Sequence, residues 1–109
     1  MSKDNFRVSL DALTTLETIK NAQDSELVHE EIVDVGNGKM VATLIFEKYF
    51  MRAKNRAALI VTLDNIENHT DLRVISTGSS QGMFLNFDWG AADSFVSSVR
   101  RSLKEYILE

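Results

Sequence analysis

Ile32-Val33-Asp34-Val35-Gly36-Asn37-Gly38-Lys39-Met40-Val41-Ala42-Thr43-Leu44 reads as two strands joined by a tight turn. Asn and Gly tolerate the positive φ that short hairpin loops impose, so Gly36-Asn37-Gly38 marks a reversal between two extended segments. The upstream segment, residues 27–35, sets Leu27, Val33 and Val35 on one parity but is interrupted by His29, Glu30, Glu31 and Asp34, the pattern of an edge strand. The downstream segment, residues 39–52, is apolar on both parities: Met40, Ala42, Leu44, Phe46 and Phe50 alternate with Val41, Thr43, Ile45, Tyr49 and Met51, which predicts a central strand.

Working outward, Ala53-Lys54-Asn55 predicts a second hairpin, after which Ala57, Leu59, Val61 and Leu63 face one way and Arg56, Ala58, Ile60, Thr62 and Asp64 the other. Residues 67–71 form a polar loop, and residues 72–77 a further strand. Near the N-terminus, Phe6 and Val8 alternate with Asn5 and Arg7. Ser9 or Asp11 can then cap a helix whose apolar positions, Leu10, Leu13, Leu16 and Ile19, recur through about Asn21. Residues 83–87 leave room for one more short strand, and Asp88 can cap a helix beginning near Gly90. Ala92, Phe95, Val96, Val99, Leu103 and Tyr106 would form its apolar face.

The order β-α-β-β-β-β-α predicts an α+β fold. The expected architecture is a two-layer sandwich: an antiparallel sheet of about five strands with two helices on one face. Ile45, Tyr49, Ala58 and Ile60 would leave the second face partly apolar, the signature of an interaction surface.

The 109 residues fit one domain spanning 1–109. Cysteine is absent, which excludes disulfides, thiol nucleophiles and cysteine-ligated metals and fits a reducing compartment. Met1-Ser2-Lys3-Asp4-Asn5 lacks the apolar core of a signal peptide, and no run approaches the ~20 apolar residues that span a bilayer. The expectation is a cytoplasmic protein without a membrane partner. A net charge of −4 opposes general attraction to nucleic acid. Basic residues do gather around the second hairpin, where Lys48, Arg52, Lys54 and Arg56 form a candidate patch for an anion or an acidic partner.

Thr77-Gly78-Ser79-Ser80-Gln81-Gly82-Met83-Phe84 is the stretch most like a ligand loop. Its G-x-S-x-G spelling matches the nucleophile elbow of α/β-hydrolases, but that chemistry needs a histidine after the serine, and His29 and His69 both precede Ser80. What remains is a weak binding site at Gly78, Ser79, Ser80, Gln81 and Gly82, using backbone N–H groups and side-chain hydroxyls. His29, Glu30, Glu31 and Asp34 read as a solvated acidic edge. His69 lies apart from them, and no spacing fits a metal site. No cofactor, metal or catalytic residue is expected.

Glu47-Lys48-Tyr49-Phe50, Asn55-Arg56-Ala57-Ala58-Leu59, the Gly-Ser-Ser-Gln-Gly-Met-Phe loop at 78–84 and Trp89-Gly90 before an amphipathic helix together resemble an uncharacterised family of small proteins from Gram-positive bacteria. The likeness covers most of the chain. It implies a stand-alone cytoplasmic bacterial protein of a domain family whose function is unknown, and it carries no catalytic residues across. The functional expectation is a non-enzymatic binding or regulatory domain that forms a homodimer through its second sheet face. The alternative is a helix-grip-like carrier enclosing a small apolar ligand between the last helix and the sheet.

Overall fold

Gly36, Asn37 and Gly38 all take positive φ, at 92°, 57° and 75°, and reverse the chain where the sequence sets its turn. The structure, a computed structural model, describes residues 2–51, 54–77 and 89–108. Its elements are β1 (Ser2–Val8), α1 (Ala12–Ala22), β2 (Glu26–Gly36), β3 (Lys39–Phe50), β4 (Asn55–Asp64), β5 (Thr70–Thr77), α2 (Trp89–Ser102), a 3-10 turn (Lys104–Tyr106) and β6 (Ile107–Leu108). The strands form one sheet in the order β2-β3-β4-β5-β1-β6, and every neighbouring pair is antiparallel.

Alternation along the strands divides the two faces. Met40, Ala42, Leu44 and Phe46 of β3, Ala57, Leu59, Val61 and Leu63 of β4, and Leu72 and Val74 of β5 are buried. They form one core with Leu16 and Ile19 of α1 and Phe95, Val96, Val99 and Leu103 from the C-terminal region. Burying an aliphatic side chain of this kind stabilises the fold by roughly 1.5–3 kcal/mol, so the layer holds both helices to this face. α2 lies over β1, β5 and β4, and α1 lies beside α2.

Polar anchors fix the layers. Asp11 caps α1, accepting a hydrogen bond from Thr14 N at 3.0 Å. Arg100 grips Asp4 through two hydrogen bonds of 2.7 and 3.0 Å while stacking over Phe6, which ties α2 to β1. Gln23 Nε2 donates to Ser98 Oγ at 2.7 Å, joining the end of α1 to α2.

The ends of α2 and β3 differ from the sequence reading, and one strand is additional to it. α2 stops at Ser102 instead of running to Tyr106, and Tyr106 is 37% exposed instead of buried. Leu103 N donates to Arg100 O and Tyr106 N to Leu103 O, so the chain tightens into a 3-10 turn. A three-residue repeat continues the helical spacing past the true helix end, which is why the apolar periodicity ran on. Ile107 and Leu108 then pair with Val8 and Arg7, adding a sixth strand. β3 ends at Phe50 and is interior, one place in from the edge strand β2. The possible strand at residues 83–87 and the cap at Asp88 lie outside the described residues. No helix among the described residues is long and apolar enough to cross a membrane.

Candidate functional site

Among the described residues neither helix covers the second face of the sheet, and the antiparallel register arranges its side chains in rows across the strands. His29 of β2 stands opposite Ile45 of β3, Ile45 opposite Ile60 of β4, Ile60 opposite Ile75 of β5, and Ile75 opposite Lys3 of β1. One flanking row runs Glu31, Thr43, Thr62, Arg73 and Asn5; beyond it Val33, Val41, Asp64, Asp71 and Arg7 follow in the same order. Ile45, Ile60, Ile75 and Val41 are half-buried by their neighbours, while Val33 is 46% exposed. Cross-strand β-branched pairs explain the half-burial: each isoleucine covers the flank of the next.

Charge on this face is graded. Glu26, Glu31 and Glu47 lie at the β2–β3 side, and Arg56 reaches Glu47 at 3.2 Å and Glu26 at 3.8 Å. The β1 side carries exposed Lys3 and Arg7. Arg73 is occupied locally: its Nη2 donates to Asp64 Oδ2 at 2.8 Å, and Ile66 N donates to the other oxygen at 3.2 Å. Asp64 is therefore a buried carboxylate held by one guanidinium and one backbone amide.

β2 is exposed on both faces, with Ile32 and Val35 at 47% and 50%. Its ladder with β3 has register shifts between Leu27 and His29 and between Asp34 and Gly36, irregularities that distort an edge strand, and its acidic side chains repel a like strand. On the helix side, Lys20 of α1 reaches Glu30 at 3.0 Å, and this hydrogen-bonded contact raises the lysine's pKa.

The basic hairpin is divided by the register. Arg56 pairs with Tyr49 on the bare face, whereas Lys48 pairs with Ala57 on the helix face, where it reaches Asp24 at 3.2 Å and lies over the Phe50 ring. Lys54 is exposed in the turn, with φ of 54°. Arg52 lies outside the described residues, as do Gly78, Ser79, Ser80, Gln81 and Gly82.

A second constellation was not anticipated. The β4–β5 connection brings Glu67, His69 and Asp71 together, with one donor atom from each within 4.8 Å of the others. Residues 66–69 bend and β5 begins at Thr70, so the signal in the sequence is three ligand-type residues within five positions and no strand period. Beside them a cleft of about 340 Å³ opens between this connection and the start of α1.

Residues 2–107 match a family described as a family of unknown function, DUF6054. The chain belongs to this family. Because the match covers nearly the whole chain, the sheet, both helices and the bare face all lie within the DUF6054 domain. No curated protein and no solved structure matches the chain.

Proposed function

We propose that this DUF6054 chain is a bacterial, cytoplasmic, non-enzymatic interaction domain that acts as a homodimer, with the bare sheet face as its interface. The row Ile45, Ile60 and Ile75 supports this reading most strongly. Three branched apolar side chains in register across adjacent strands form a strip suited to packing against another sheet.

Charge selects a second copy as the occupant and orients it. A two-fold axis parallel to the strands reverses the strand order between copies, so Ile60 meets Ile60, Ile45 meets Ile75, and the His29 end of the row meets Lys3. The acidic β2 side then lies over the basic β1 side. An axis across the strands would instead stack β2 on β2, and so would edge-to-edge pairing, both placing acid against acid. A face that complements itself only under one rotation has the property an isologous dimer requires.

The chain has no cysteine, so introduced thiols report geometry cleanly. A short bismaleimide should link the Lys3→Cys/His29→Cys double variant into covalent dimers and leave both single variants uncrosslinked. Linking of Lys3→Cys alone would contradict the orientation, and no linking in any variant would contradict the interface.

One observation favours the carrier reading as a second possibility. Ser76 is fully buried on the helix face of β5, and its Oγ has no hydrogen-bond partner among the described residues. A hydroxyl in an apolar layer is the kind of polar group that orients an apolar ligand. Saturable binding of a fluorescent fatty acid, weakened by Ser76→Val, would support a carrier; no binding would remove it. The glycine loop at 78–82 and the basic residues Lys48, Arg52, Lys54 and Arg56 remain proposed contacts for further polar partners, with Lys48 and Arg56 serving opposite faces of the sheet.

A further inference from the structure

We infer that Glu67, His69 and Asp71 form a binding site for a divalent first-row transition-metal ion such as Zn2+. His69 Nε2 lies 3.2 Å from Asp71 Oδ1 and 4.0 Å from Glu67 Oε1. Donors bound to one ion at about 2.0–2.2 Å stand about 2.8–3.6 Å apart in octahedral or tetrahedral geometry. The His69–Asp71 separation already falls in that range. Glu67, whose side chain is 73% exposed, has the freedom to close the remaining gap.

The direction of the imidazole supplies an independent observation. His69 Nε2 is inaccessible to solvent and has no hydrogen-bond partner among the described residues, although a carboxylate oxygen lies 3.2 Å away. The nitrogen axis therefore passes beside that oxygen. The 3.2 Å contact is thus a close approach of two potential ligand atoms and not an aligned hydrogen bond. All three groups can donate electron pairs, and the two carboxylates bring negative charge to balance a dication.

The site is built on fixed supports. Thr70 Oγ1 donates to Leu10 O at 2.7 Å, anchoring the residue between His69 and Asp71 to the start of α1. Asn65 accepts from Met40 N at 2.8 Å and donates to Gly38 O at 3.2 Å, clamping the other end of the connection to the β2–β3 hairpin. One imidazole and two carboxylates suit Zn2+ or a similar borderline ion, whereas Mg2+ favours oxygen alone. Three protein ligands leave a position open, and Glu67 and His69 both line the adjoining cleft, so water or a small anion can complete the coordination.

The chain has only two histidines, which makes the test specific. Zn2+ added to the full chain should bind one ion per chain by calorimetry. It should also shift the imidazole NMR signals of His69 while leaving those of His29 in place. His69→Ala and Asp71→Asn should each weaken binding at least about tenfold. His29→Ala should leave it unchanged, and Mg2+ should not compete. Circular dichroism establishes that each variant is folded. Equal Zn2+ affinity in the wild-type chain and a folded His69→Ala variant would overturn the assignment, as would a His69 signal unmoved at millimolar Zn2+.

Discussion

Ile45 and Ile60 are register partners at the middle of the β3–β4 ladder, side by side on the face that both helices leave uncovered. Ile75 extends the pair onto β5. An apolar strip at the middle of a face, with acid toward one edge and base toward the other, has a direction, and that direction separates self-association from general stickiness.

Charge reversal should act through the dimer while leaving the fold intact. Lys3→Glu and Glu31→Lys should each weaken dimerisation several-fold at low salt, and the double variant should recover most of the loss. The effect should shrink in high salt, because these groups sit at the exposed rim. Dissociation constants from sedimentation at two ionic strengths check this.

Arg73→Leu should destabilise the monomer fold. It removes the guanidinium from buried Asp64 and leaves that carboxylate with one backbone amide, from Ile66. Because the arginine side chain is itself 50% exposed, the expected loss is about 1–2 kcal/mol, below that for a fully buried pair. Urea titration measures it through a lowered midpoint at unchanged slope.

Asp11→Ala should cost about 1 kcal/mol by removing the cap of α1. The hydrogen bonds from Thr14, side chain first and then backbone, hold the Asp11 carboxyl below its ordinary pKa. A depressed pKa means that the stabilisation is present above the unfolded value, about 3.9, and is lost as pH falls through the folded value. The stability difference between wild type and Asp11→Ala should therefore hold from neutral pH to about pH 4 and shrink below it. Thermal unfolding across that range tests the sign.

Local chemistry made much of this fold legible in the sequence. Gly36-Asn37-Gly38 could only turn, Asp11 stood where a cap was needed, and the alternation through β4 separated Leu59 from Ile60 without ambiguity. Non-local facts were harder to read. That Ile75 belongs with Ile45 and Ile60 depends on the β4–β5 register, which no single strand encodes. The Ile107–Leu108 strand is too short to show a period, and it exists because the 3-10 turn returns the chain to Arg7 and Val8. The basic hairpin looked like one patch because Lys48 and Arg56 are close in sequence; strand parity sends them to opposite faces. Glu67, His69 and Asp71 read as loop polarity, since residues 66–69 bend and no strand period marks the three as a group.

The most direct test of the account is sedimentation velocity of the wild-type chain and the Ile60→Glu variant across micromolar concentrations, with circular dichroism to establish folding. Ile60 lies on the proposed axis, so one substitution sets two carboxylates against each other at the centre of the interface. The wild type should sediment as a dimer and Ile60→Glu as a folded monomer. A wild-type chain that sediments as a monomer throughout, or an Ile60→Glu variant that remains a dimer, would contradict it.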